Sequence, residues 1–328
     1  MGNANKAFIL VSAETKRMLE DLAKRRGMDI DSLIRSLIEK ERRELDNKPK
    51  RIWITQYSGG LFYLLPHILK LIPRHDIYVE VFGGLGVVLL NKPKAKLEVF
   101  NDIDENIVNL FTVIRDHFDE FQWKVQWLLY SRSMWKKYAE MWKKDRFRSL
   151  NPVDRAVAYF YLLSTSINAC LVNPSFSAKT SIERQVTSFK NASERLKFVH
   201  LRLQNVLIEN LDFRDCMRKY DGEKVFFFLD PPYLIEDKIY NYGFSLKDHY
   251  DLARILRQIK GKYLLVHVEN KRFYEVYSDI PVIAKVEKPR HMLVGLEEKP
   301  KQNVLFCGNY DPRKEAKHAE EIPLVEFQ

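Results

Sequence analysis

Four consecutive residues, Asp230-Pro231-Pro232-Tyr233, carry the strongest chemical signal in the chain. They follow the wholly apolar run Val225–Leu229, which reads as a buried strand. The four therefore lie at a strand's carboxyl end, where open α/β sheets bind ligands. Two successive prolines fix the backbone and remove two N–H donors. What remains is an acceptor-rich surface made by the Asp230 carboxylate and the Pro231 carbonyl. Two adjacent acceptors can hold both hydrogens of an exocyclic amine such as adenine N6. The lone pair then becomes directional and can attack an electrophilic methyl. Tyr233 can stack on the base. A base inside a duplex reaches such a pocket only by flipping out. Positioning and electrostatics would supply most of this catalysis, without a covalent intermediate. The competing reading is a surface turn, which the preceding Phe226-Phe227-Phe228-Leu229 argues against.

A second constellation lies upstream. Ile77–Phe82 reads as a strand, followed at once by Gly83-Gly84-Leu85-Gly86 and the apolar start of a helix. Glycines let a backbone turn tightly and approach a ligand. Leu89 stands where a dinucleotide fingerprint needs a third small residue, which argues against NAD or FAD. Asp102 follows the next strand, Leu97–Phe100, and a carboxylate there can accept ribose hydroxyls. A turn or helix-cap role for Asp102 is the alternative.

These residues need a scaffold. Strand, Gly turn, helix and strand in succession predict a parallel α/β sheet. Further strands are expected at Val206–Ile208, Tyr263–Val268, Val282–Val286 and Asn303–Gly308, with helices at Asn106–Arg115 and Leu246–Gln258. Residues 116–205 read as mostly helical. They carry Lys136, Lys137, Lys143, Lys144, Arg146 and Arg148, which could contact phosphates. The alternative is a solvated helix face backed by Trp127, Trp135 and Trp142 in the core. Residues 1–47 read as a separate small unit: a strand at Ala7–Val11, a helix capped by Ser12 and stopped by Gly27, and a second helix with Leu33, Ile34, Leu37 and Ile38 on one face. Asn47–Lys50 reads as a linker.

Composition sets outer bounds. The chain has 328 residues, a formal charge of +10 and a pI near 9.2, so polyanions are plausible partners. Cys170, Cys216 and Cys307 are scattered, without zinc-ligand spacing, and suit small buried positions in a reducing cytoplasm. No metal site, signal peptide or membrane-length apolar run is expected.

The order of these parts over residues 51–312 resembles the Dam-type family of S-adenosylmethionine-dependent DNA adenine N6-methyltransferases. Gln56-Tyr57-Ser58-Gly59-Gly60-Leu61 stands where the family opens with a segment ending Gly-Gly-Lys. Phe82, Gly84 and Gly86 match its Phe-x-Gly-x-Gly turn, and Asp102 matches its acidic residue. Asp230-Pro231-Pro232-Tyr233, Asp248-His249 and Gly308-Asn309-Tyr310 follow in order. The resemblance implies a Rossmann-like methyltransferase sheet spanning 48–115 and 206–312. It also implies a helical target-recognition insert at 116–205 and a C-terminal tail at 313–328.

It further implies S-adenosylmethionine lined by Tyr57, Leu61, Phe82, Gly84, Gly86, Asp102, Asp212, Phe213 and Asp230, no metal, and double-stranded DNA as partner. Departures are Leu61 for lysine, Val81 for proline, Leu85 for a small residue and Ala169 for glycine. Val268-Glu269-Asn270 also stands in place of a Ser-Tyr-Asn-like run. Residues 1–47 resemble ribbon-helix-helix domains, which implies a homodimer, with direct DNA reading by its strand as the alternative. Two other readings stay open: a non-catalytic DNA-binding protein on this scaffold, and an amino methyltransferase acting on cytosine N4 or RNA.

Overall fold

The computed structural model describes residues 11–46, 51–55, 61–171, 173–177, 182–234, 243–289 and 301–315. The chain divides into two compact units, Met1–Lys50 and Arg51–Gln328.

In the first unit, the Ser12 hydroxyl accepts from the Thr15 amide at 3.1 Å and starts the helix Ala13–Arg26. Gly27, at φ +64°, ends it in the left-handed conformation that a side chain resists. Asp29 accepts from the Ser32 amide at 2.9 Å and leads the helix Ile30–Asp46. The strand expected at Ala7–Val11 lies outside the described residues except for Val11, as does the linker Asn47–Lys50.

The second unit is built on one seven-stranded sheet. Its strands are β1 (Ile77–Glu80), β2 (Leu97–Asn101), β3 (Val206–Glu209), β4 (Val225–Leu229), β5 (Lys262–Val268), β6 (Val282–Pro289) and β7 (Lys301–Gly308). Their order is β3-β2-β1-β4-β5-β7-β6. The first five are parallel, and β7 runs antiparallel between β5 and β6. A parallel sheet is covered on both faces, so its strands are apolar throughout rather than alternating. Every side chain of β4 is buried, Phe226 and Phe228 on one face and Phe227 and Leu229 on the other. Fully burying such a side chain contributes about 1.5–3 kcal/mol.

β1 stops at Glu80, short of the expected Phe82. Val81 still donates to the Phe228 carbonyl, after which Gly83 donates to Asn101 and the chain bends away. The helices Phe118–Gln126, Arg132–Lys143, Pro152–Thr165 and Ile182–Leu203 account for the helical stretch 116–205. Trp135 and Trp142 are partly buried there and donate to the Ser166 hydroxyl and the Leu171 carbonyl. Trp127 corrects the sequence expectation: it is 70% exposed, because it follows the last turn of its helix. Cys216 and Cys307 are buried as expected, but Cys170 is exposed. Among the described residues no cluster of three metal-ligating side chains occurs, and no helix is long and apolar enough to cross a membrane.

Candidate active site

The sheet order reverses between β1 and β4: from β1 the chain moves outward to β2 and β3, then returns to β4 on the other side. The crevice beyond the carboxyl ends at such a point is where open α/β sheets place ligands. Both constellations read from the sequence meet there, since Glu80 and Phe228 are in register at the ends of neighbouring strands.

On the β1 side the Gly turn is held by its neighbours. Gly86, at φ +65°, donates to the Gly83 carbonyl at 2.8 Å. A Cβ on Gly83 would lie 2.3 Å from the Phe100 ring, so only glycine fits beneath the turn. A Cβ on Gly84 would meet nothing within 4 Å, so the turn faces open space at that point. Asp102 spans the turn and its own loop, accepting from Gly84 N at 2.7 Å and Asp104 N at 2.8 Å, one bond to each carboxylate oxygen. Burial pushes its pKa up to about 6, against the pull of those two bonds. Each oxygen retains a lone pair, which suits a diol.

Two residues that motif reading misses complete this wall. Buried Asn101 donates to the Val81 and Leu211 carbonyls and accepts from Leu211 N, tying β1 and β2 to the loop that carries Asp212. Buried Glu80 accepts from the Tyr78 hydroxyl and from Leu89 N, which anchors the helix Val87–Asn91; burial lifts its pKa to about 8.

On the β4 side, Asp230 leaves the strand end and Pro231 is buried. Among the described residues no backbone amide donates to the Pro231 carbonyl. The Tyr233 hydroxyl lies against the Asp230 carboxylate. Burial first, and that charge second, hold the phenol protonated. Its ring sits 5.1 Å from the His267 ring, centroid to centroid.

Residues 57–292 match the family model of the D12 class of N6 adenine-specific DNA methyltransferases. The chain belongs to that family. It is 23% identical over 222 residues to the DNA adenine methylase of Escherichia coli (strain K12), covering 66% of this chain and 79% of that one. It is 26% identical over 278 residues to the type II methyltransferase M1.LlaDCHI of Lactococcus lactis subsp. cremoris, covering 78% and 94%. An rRNA methylase structure from Streptococcus thermophilus aligns over 76% of this chain and 98% of its own, at 11% identity and a TM-score of 0.30.

The surroundings of the other residues that the sequence singled out are as follows. Phe82 packs at 5.6 Å from Phe213, and Phe244 closes the cluster at 5.5 and 5.3 Å. Asp212 caps the short helix Phe213–Tyr220 and binds Arg214. Arg214 also grips Asp248 and Asp251 on the helix Leu246–Leu256. Leu61 is only 7% exposed and belongs to the hydrophobic core, so it offers a ligand little surface. Tyr57 lies outside the described residues. Lys136, Lys137, Lys143, Lys144, Arg146 and Arg148 are all exposed. Lys144 pairs with Glu140, and Arg148 lies within ion-pair reach of Glu105 and Asp145.

Proposed function

We propose that this D12-class enzyme transfers the methyl group of S-adenosylmethionine to N6 of an adenine flipped from duplex DNA at a specific site. The observation that carries the reading is the meeting of two surfaces at the β1/β4 switch point. One is the acceptor-rich Asp230-Pro231 turn, and the other is the Gly turn with Asp102 beside it. When bound, S-adenosylmethionine supplies an electrophilic methyl on a sulfonium sulfur. The open space at Gly84 and the two spare lone pairs of Asp102 suit its adenosine portion.

Asp102 would hold the ribose, Phe82 and Phe213 would contact the cofactor's adenine, and Gly84 and Gly86 would allow close backbone approach. Tyr57 and Asp230 complete the proposed lining. The Asp230 carboxylate and the Pro231 carbonyl accept the two N6 hydrogens, and Pro232 keeps the turn rigid. As the nitrogen gains positive charge, Asp230 stabilises it and accepts the proton it sheds. The Tyr233 ring stacks on the flipped base. The exposed cations of the insert contact phosphates and set register. The N-terminal unit joins two copies of the chain, and the protein works in the cytoplasm.

The test is incubation with methyl-labelled cofactor and separate DNA and RNA substrates, followed by identification of the labelled nucleoside. Label is expected in N6-methyladenine of duplex DNA, and Asp230→Ala should lower transfer by at least about 10²–10³-fold, as for removal of a preorganised electrostatic group. Label in cytosine, or in RNA alone, would overturn the reading.

A further inference from the structure

The turn after Asp230 is held by side chains that arrive from two other elements. Leu234 N donates to His267 Nε2 at 3.0 Å, and Asn270 Nδ2 donates to the Leu234 carbonyl at 2.5 Å. Leu234 is thus held through both of its backbone polar groups, one on each of the peptide units that flank its Cα. His267 lies on β5 and is 0% exposed. Its Nδ1 lies 2.8 Å from the Val268 carbonyl, which can only accept. The ring proton therefore sits on Nδ1, and Nε2 keeps its lone pair for Leu234. An imidazolium would turn a second N–H toward the Leu234 amide.

His249, 1% exposed on the helix Leu246–Leu256, is buried beside His267. Its Nδ1 lies 2.8 Å from the Tyr277 hydroxyl, and its ring sits 5.9 Å from the His267 ring, centroid to centroid. Burial keeps both rings neutral, with His267 titrating at about 4 and His249 at about 3.

We propose that His267 is a positioning residue for the transfer reaction: holding the Leu234 amide while Asn270 holds the Leu234 carbonyl, it keeps Tyr233 and Asp230 in their reacting geometry. The inference rests on the methyl-transfer reading above. His267 touches no reacting atom; it acts through the turn. A misplacement of about 1 Å in such a constellation costs about 10²-fold in rate.

The test begins with the wild-type chain, whose single-turnover transfer to duplex DNA establishes the underlying reading. Absence of transfer would sink that reading and this inference together. Given wild-type transfer, three variants are compared well below their unfolding temperatures. His267→Leu removes both ring hydrogen bonds, and His267→Gln keeps an acceptor for Leu234. Asn270→Ser removes the grip on the Leu234 carbonyl while retaining a cap for the Phe273 amide, which Asn270 now supplies at 2.8 Å.

His267→Leu should slow the single-turnover rate by about 100-fold and Asn270→Ser by about tenfold. KM for DNA and cofactor affinity should stay within about threefold, and His267→Gln should return to within about tenfold of wild type. Folded His267→Leu with a rate near wild type, a Gln variant no better than Leu, or parallel losses in affinity and rate would each overturn the proposal. If His267→Leu does not fold, Asn270→Ser and His267→Gln decide it by the same criteria.

Discussion

At the scale of single residues, Asp102 shows how burial and hydrogen bonding divide a role. A carboxylate with two backbone amides on it would ordinarily titrate low, yet burial lifts it to about 6. The charged form is the better acceptor for a diol, so binding of an adenosine ligand should favour deprotonation. The sign follows: above pH 6 the site is ready, and below it protonation competes with the ligand. Cofactor affinity is therefore expected to fall about tenfold from pH 7 to about pH 5, the loss of charged fraction for a group titrating at about 6. Calorimetric titration of S-adenosylmethionine across that range checks it. Asp102→Asn should bind more weakly and lose the pH dependence, and a flat profile in the wild type would remove Asp102 from ribose binding. Asp102 and Asp230 were legible in the sequence because each stands directly after a strand, and Gly84 because it lies in a run of three glycines in four residues. His267 and Asn270 were not, because they lie 33 and 36 residues from the Leu234 backbone they hold and meet it only through the fold.

At the scale of elements, the Gly turn is a case where three glycines have three different reasons. Gly83 lacks room, Gly84 lies in open space at φ +51°, and Gly86 combines φ +65° with a Phe111 ring at 2.9 Å from any Cβ. The stacked Phe100 and Phe111 rings, 4.0 Å apart, form the floor beneath the turn. Gly83→Ala should then cost about 1–3 kcal/mol through displacement of Phe100, as for overpacking of a core. Gly84→Ala should cost about 1–2 kcal/mol for its backbone conformation alone. Urea unfolding of both variants measures the difference. Equal stability of Gly83→Ala and wild type would show that the turn can move off its floor. All seven strand positions could be read from apolar runs, with ends shifted by at most a few residues. The short helices Phe213–Tyr220 and Lys271–Tyr277 could not, because their start is set by Asp212 and Asn270 caps rather than by a long apolar period. Trp127 was misplaced for a related reason. Its spacing suits an apolar face, but the helix ends at Gln126 and releases it to solvent.

At the scale of the whole chain, the two units differ in how well each can stand alone. The larger buries two extensive clusters, one on each face of its sheet. Among the smaller unit's residues with described burial, only Ala23 and Leu33 are buried, while Met18 is 68% and Ile38 52% exposed. A segment of about 40 residues rarely closes a sufficient core without help. An amphipathic second helix with Leu33 inward and Ile38 open gains most by covering that surface with a like copy, since an isologous pair buries the same apolar patch twice. Removal of residues 1–50 should therefore leave residues 51–328 folded, with an unfolding temperature close to that of the larger unit in the full chain. The fragment should run as a monomer by light scattering, and the full chain should run as a dimer. Methyl transfer should persist in the fragment, because Asp102, Asp230 and the residues that hold the catalytic turn all lie within it. DNA affinity should fall, since two linked copies of a basic insert bind with an effective concentration that one lacks. A fragment that remains dimeric would place the contact between copies on the larger unit. A full chain that runs as a monomer would leave the small unit's apolar face to some other partner.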